Sequence, residues 1–235
     1  MGVAGFALAG TAISTWFKID PGAISPIVTV LLILIGSSVA GIEIGSPSTV
    51  IGLLLICGVS EIIGVFTGLP FGRYEYTDQW WPTVQLADRH FYPLLLPFSW
   101  LMIVGGAYGV ARTRFTAWQS VPVCAAIAML IDMPMERAMT WTFAYWRWIE
   151  PGPIFGAPIA NSIGWFLVSI VAGSLIAWKD IRSEWKASSP TVLGIFCLFV
   201  GLTGFIHSFE WAWVMLVILS ASMLVYGRNH SAKSS

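Results

Sequence analysis

The chain is a succession of apolar runs, each close to the length of a membrane-crossing helix. A helix needs about 20 apolar residues to cross roughly 30 Å of hydrocarbon. Eight stretches of the 235 residues are candidates: about 1–17, 26–44, 48–69, 93–111, 118–136, 155–178, 190–208 and 210–226. The first is short. The last two are joined so tightly, through His207–Glu210, that they read equally as one re-entrant hairpin. The expected fold class is therefore all-α, a polytopic transmembrane helical bundle with seven or eight spans.

Composition agrees. Hydrophobic residues make up 57% and charged residues 10%, against about 25% charged in soluble domains, and the mean hydropathy is +0.78. The longest polar stretch, Gly72 to His90, is too short for a soluble domain, so residues 1–235 read as a single integral membrane domain. Net charge is zero and no basic run is present, which argues against a nucleic-acid partner. Cys57, Cys124 and Cys197 sit in apolar runs without metal-ligand spacing and read as small core residues. Residues 2–17 lack a basic leader region, so a first span is expected there rather than a cleaved signal.

Loop charges suggest an orientation. One side holds Arg112, Arg114, Lys179, Arg182, Lys186, Arg228 and Lys233; the other holds Lys18, Arg73, Arg89, Arg137 and Arg147, mixed with acids. The seven-base side is expected in the cytoplasm, in a cell (inner) membrane, with both termini there if the spans number eight.

Against this apolar background, acids are informative, because a carboxylate at the centre of a bilayer costs roughly 2.5–3.5 kcal/mol on insertion scales. Glu61 interrupts 51–69, on a helical face shared with Cys57, Gly64 and Gly68. Gly64 and Gly68 form a small-xxx-small pattern, which would let a neighbouring backbone pack closely or leave room beside a proton donor. Asp132 closes the run 121–131, and Glu136 follows one turn later across Pro134. Two acids at i and i+4 share a face and do not readily ionise together in a low dielectric, so one is expected to carry a proton, as a general acid must. Glu136 is expected instead to pair with Arg137, Arg147 or Arg73 at the membrane surface. Glu61, Asp132, Asn161, His207 and Glu210 all lie toward the face carrying loops 70–92 and 137–154.

That face is aromatic. Thirteen tryptophans include Trp80, Trp81, Trp100, Trp141, Trp146, Trp148 and Trp165, and Phe71-Gly-Arg-Tyr-Glu-Tyr-Thr77 alternates rings with charges. Most such rings anchor helices at the interface, while some could stabilise a cation. Histidine is scarce, and no paired His or Cys, phosphate loop or nucleotide fingerprint occurs. No cofactor and no metal are expected, which favours chemistry needing only protons and water.

Several segments, in order, resemble the integral membrane carotenoid-biosynthesis family that includes the carotenoid 1,2-hydratases. They are Ser60-Glu-Ile-Ile-Gly64, Thr67-Gly-Leu-Pro-Phe-Gly-Arg-Tyr-Glu-Tyr-Thr77, Tyr92-Pro-Leu-Leu-Leu-Pro-Phe-Ser-Trp-Leu-Met102, Asp132 with Pro134, Tyr145-Trp-Arg-Trp148 and Gly156-Ala-Pro-Ile-Ala-Asn-Ser-Ile-Gly-Trp-Phe166. The match covers about residues 55–170. Met133 intervenes where the family often places Pro directly after the Asp. The resemblance implies addition of water across a terminal double bond of an acyclic carotenoid, a long polyene held within the bilayer among membrane lipid. On that reading Asp132 donates the proton and Glu61 is the partner acid or water-positioning base, with the roles open to reversal. Asn161 would hold the water. Arg73, Tyr74, Tyr76, Trp100 and Trp165 would bind the substrate end. Two alternatives keep the same residues: acid-catalysed cyclisation or isomerisation of the alkene, and a non-catalytic carotenoid- or lipid-binding protein in which the acids are structural.

Overall fold

The computed structural model describes residues 2–17, 24–88, 90–180 and 188–231. Eight helices appear among them: α1 (Gly2–Phe17), α2 (Ile24–Ile44), α3 (Pro47–Thr67), α4 (Leu96–Arg112), α5 (Ser120–Arg137), α6 (Ile159–Lys179), α7 (Ser188–His207) and α8 (Trp211–Ser231). Each apolar run of the sequence becomes one of them. Four contain stretches long and apolar enough to cross a membrane: Ile27–Ile44, Pro47–Thr67, Ile159–Lys179 and Ser188–His207. α4 has 17 residues, and α5 carries Asp132, Glu136 and Arg137 near its end. Of the basic residues used for orientation, Lys18, Arg89, Arg182, Lys186 and Lys233 lie outside the described residues.

The outer surface is apolar where a soluble protein would be polar. Ile51, Leu55, Val59, Ile62 and Phe66 are exposed along one stripe of α3, and Ile159, Ile163, Leu167 and Val171 along one stripe of α6. Their spacing of three or four residues makes each stripe continuous, a surface suited to lipid. α4 occupies the middle of the bundle, against α2, α3, α5, α6 and α7, and 13 of its 17 residues are buried. Glycines permit that crowding. A Cβ on Gly105 would meet the Ala40 Cβ at 2.7 Å, and one on Gly106 would meet Leu193 Cδ2 at 2.7 Å and its Cβ at 2.8 Å. α7 and α8, joined by three residues, are two packed helices.

The loops at one end are not wholly irregular, which amends the all-α expectation. Four short strands occur there: β1 (Tyr74–Tyr76), β2 (Thr83–Ala87), β3 (His90–Pro93) and β4 (Trp146–Trp148). β2 and β3 form an antiparallel hairpin. β1 pairs antiparallel with β4, matching Tyr74 to Trp148, Glu75 to Arg147 and Tyr76 to Trp146. This pairing joins the two long loops into one cap. An Arg137–Glu210 ion pair at 2.6 Å ties the α7–α8 junction to the same end. At the opposite end Arg112 meets the buried Asp180 at 2.6 Å, and Glu43 accepts from the backbone N–H groups of Ser188 and Ser189.

α3 shows how local chemistry sets the cap. Ser46 accepts from the Thr49 N–H at its start, and Pro47 opens the helix. Gly68 ends it in the left-handed region, φ 78°, returning its N–H to the Gly64 carbonyl. Gly72, at φ 104°, turns the chain again before β1. The segment 71–76 thereby folds back against the end of α3.

Gly106→Ala should lower stability by about 1–3 kcal/mol, the usual cost of overpacking, read as a lower thermal midpoint in detergent. Gly10→Ala, where an added Cβ meets nothing within 4 Å, should leave that midpoint unchanged.

Candidate active site

Glu61 is buried two-thirds of the way along α3, 4% exposed, in surroundings that cannot hydrate a carboxylate. Three donors replace the water. The Tyr74 hydroxyl donates to Oε2 at 2.6 Å, the Tyr76 hydroxyl to the same oxygen at 2.9 Å, and Trp100 Nε1–H to Oε1 at 2.8 Å. Burial first, and the Glu61 charge second, push both tyrosine hydroxyls well above their ordinary range, so they remain protonated donors at physiological pH. Gly64 makes the approach of Tyr74 possible: a Cβ there would lie 2.5 Å from the Tyr74 hydroxyl and 3.0 Å from Phe71. The small-xxx-small pattern therefore accommodates the returning loop beside Glu61. Gly68, its second member, serves as the C-cap.

Asp132 and Glu136 share a face of α5, which continues helically through Pro134. The helix then widens into a π-helical turn, Ala138–Thr142, with Phe143 N–H bonded to the Ala138 carbonyl at 2.9 Å. Such turns recur at functional sites. Asn161, in the first turn of α6, spans both acids. Its Nδ2 donates at 2.8 Å to Asp132 Oδ2 and at 2.8 Å to Glu136 Oε1. Glu136 Oε2 accepts two indole N–H groups, Trp148 at 2.8 Å and Trp146 at 3.1 Å.

The surface pairing expected for Glu136 is thus corrected. Its residue is 1% exposed, and Arg137 and Arg147 are engaged elsewhere. Arg137 pairs with Glu210 and lies 3.6 Å over the Trp141 ring; Arg147 pairs with Glu75 at 2.5 Å. Strand alternation is the reason. In β1 and β4 the rings of Tyr74, Tyr76, Trp146 and Trp148 turn to one side and donate to acids, while Glu75 and Arg147 turn to the other and pair together.

All three carboxylates line one cavity of about 60 Å³, with Asn161, Tyr74, Tyr76, Trp80, Trp100, Trp146, Trp148 and Trp165 at its polar end. Trp165 stacks on Trp100 at 3.7 Å between ring centroids. Trp80 stacks on Tyr145 at 5.0 Å. The rest of the wall is mostly apolar, Thr29 and Ser99 apart, and comes from several helices, with Ile33 of α2, Ile103 of α4, Met135 of α5 and Phe196, Phe199 and Val200 of α7. Among the described residues, no three His, Cys, Asp or Glu side chains are grouped to hold a metal ion.

Of the site residues expected from sequence, Glu61, Asp132, Tyr74, Tyr76, Trp100, Asn161 and Trp165 all reach this cavity. Arg73 does not. It is exposed and lines a separate cavity on the outer side of the cap, because it alternates outward with Glu75. Glu210 is drawn off by Arg137. The indole donors Trp146 and Trp148 went unassigned. Their signal was the alternation Trp-Arg-Trp, the mirror of Tyr-Glu-Tyr, with the middle charges opposite in sign. The α7 wall had no signal beyond apolarity.

The donors divide unequally. Glu61 and Glu136 each accept three hydrogen bonds, and Asp132 accepts one. Donors stabilise the ionised form of an acid, and of the three Asp132 has the fewest.

The sequence pattern of the carotenoid biosynthesis protein family matches residues 23–226. The chain belongs to this family. Within curated proteins it is similar to the bisanhydrobacterioruberin hydratase of Haloarcula japonica, 27% identical over 176 residues, which is 70% of this chain. The chain spans 58% of that relative's length. No solved structure matches it. The family match covers α2 through most of α8 and so includes every element that lines the central cavity, the α7 wall among them.

Because Gly64 is pressed against the Tyr74 hydroxyl, the two should be thermodynamically coupled. Gly64→Ala is expected to cost stability in the parent and about 1 kcal/mol less in a Tyr74→Phe background. A double-mutant cycle of thermal unfolding in detergent measures the difference.

Proposed function

We propose that this protein is a cofactor-free carotenoid hydratase, adding water to a terminal carbon–carbon double bond of an acyclic carotenoid end. The observation that carries the proposal is the unequal donor supply to three carboxylates in one aromatic cavity. Asp132, with a single donor, is the general acid. It protonates the less substituted carbon of the terminal double bond, and the other alkene carbon becomes a tertiary cation. Glu61 and Glu136, whose donors favour the carboxylate form, offset that charge, and the faces of Trp100 and Trp165 add cation–π stabilisation. A water then attacks the cation. Its oxygen forms the new C–O bond, and its proton passes to Glu61 and returns to Asp132. The net change is one water added and one tertiary alcohol formed. Asn161 acts as a clamp that fixes Asp132 against Glu136, a different task from holding the water. The similar protein is named a hydratase, and family membership supports a carotenoid as substrate.

The substrate is expected to lie in the bilayer with its reacting end at the cap. A dry cavity of 150 Å³ just accepts a benzene, so a 60 Å³ space admits an isoprenoid end only when its apolar wall moves. Phe196, Phe199 and Met135 are among the wall residues without polar ties. On the same reading all eight helices span a cell membrane, and the end bearing Arg112 and Lys179 faces the cytoplasm, together with both termini.

Expression in a host that makes acyclic carotenoids tests the function. Pigment analysis should give a product heavier by one water. An isomer of unchanged mass would replace hydration with cyclisation or isomerisation, and unchanged pigment in the presence of intact membrane protein would remove the enzyme reading. Asp132→Asn should lower alcohol formation by about 10²-fold or more, the usual share of a general acid, without loss of protein from the membrane. Near-parent activity in that variant would exclude Asp132 as the acid. Reporter fusions in the loop between α4 and α5 test orientation, and a cytoplasmic signal is expected.

A further inference from the structure

Hydration needs a second substrate that the bilayer does not supply. A polyene arriving from lipid brings no water, and its end displaces the few waters that a 60 Å³ cavity can hold. The cap, moreover, covers the acids with aromatic rings. A water must therefore enter from the aqueous face after the substrate is seated.

The cap is thin at one point. A second cavity, about 180 Å³, lies on its outer side; it is lined by residues 64–68 at the end of α3, the apolar Val65 and Phe66 among them, and by Arg73, Glu75, His90 and Ile149, together with Tyr74. Arg73 and Ile149 are exposed. Tyr74 is the residue common to this lining and to that of the central cavity. Its hydroxyl rests on Glu61 Oε2 at 2.6 Å, so one phenol separates the outer space from the carboxylate that receives the proton of the attacking water. The glycine at position 64 keeps the partition thin, since any side chain there would collide with that phenol.

Resting on the hydratase reading, we propose that this outer cavity is the water vestibule of the enzyme. Water collects between Arg73, Glu75 and His90, passes at Tyr74, and is delivered to Glu61 beside the cation. Tyr74 is then a positioning residue for water as well as a donor to Glu61. The polyene and the water reach the cation from different sides, one from lipid and one through the cap.

Partition of the cation is the measurement. Once formed, it either gains water and loses a proton from that oxygen, giving the alcohol, or loses a carbon-bound proton, giving back an alkene. In D2O the acid carries deuterium, so alkene returned by the second path is labelled. Purified protein in detergent is assayed with an acyclic carotenoid, and the ratio of alcohol to labelled alkene is compared with the parent's. Ile149→Trp, placed in the vestibule wall and touching none of the acids, should lower that ratio about tenfold, equivalent to about 1.4 kcal/mol in the competing barriers, with labelled alkene rising. Arg73→Ala, which widens the same space, should raise it. An unchanged ratio in Ile149→Trp overturns the proposal. So does a parallel fall of alcohol and label, which would mean damage to proton transfer and not to water supply. If Ile149→Trp does not accumulate, Arg73→Ala decides alone: a raised ratio supports the vestibule, and an unchanged or lowered one overturns it. A parent protein that forms no alcohol would instead refute the hydratase reading itself.

Discussion

A carboxylate buried in an apolar bundle must be given hydrogen-bond donors by the protein, and much of this structure follows from meeting that demand. An unsatisfied buried acceptor costs about 1–3 kcal/mol, and a charged one more. Glu61 and Glu136 are each nearly inaccessible to solvent. Their donors come mainly from a two-stranded ribbon whose inner face carries two phenols and two indoles. The register of that ribbon sets Tyr74 opposite Trp148 and Tyr76 opposite Trp146, so two loops distant in sequence serve two acids on different helices. The outward Glu75–Arg147 pair holds the same register from the solvent side. Gly64, Gly68 and Gly72 let the first strand return close enough to donate.

The demand is met unevenly, and the unevenness is where chemistry enters. Asn161 spends both N–H bonds of its amide on Asp132 and Glu136, which fixes their spacing but leaves Asp132 with one donor. Three acids in one small cavity cannot all be ionised at low cost. The best-supplied two are suited to remain negative and the least-supplied one to be neutral. The acids and aromatic faces that share this cavity lie within the part of the chain that matches the carotenoid biosynthesis family.

How far the site could be read from sequence varies with the residue. Helix positions were legible because an apolar run of 20 residues has few alternatives. Glu61 and Asp132 could be picked out because acids in such runs are costly. Tyr74 and Tyr76 were marked by alternation. Glu136 was misread because nearby arginines at 73, 137 and 147 offered an obvious partner on paper, whereas strand alternation and the α7–α8 junction take Arg147 and Arg137 away. Arg73 was misplaced for the related reason that its neighbours in the motif face the opposite way. Trp146 and Trp148 looked like interfacial anchors, since an indole ring in sequence does not reveal whether its N–H meets a headgroup or a buried acid. The wall from α7 was invisible, being Phe and Val among many.

By itself the sequence determined that the chain is a helical membrane protein, that certain acids are out of place in it, and that one end is aromatic. Those features are local: hydropathy, period and residue chemistry are read within a turn or a span. The tertiary structure decided that three acids share one cavity and which donors each receives. Such facts depend on distances between residues far apart in sequence, such as Glu61 and Glu136, 75 positions apart, and on the pairing of β1 with β4 that brings their donors together.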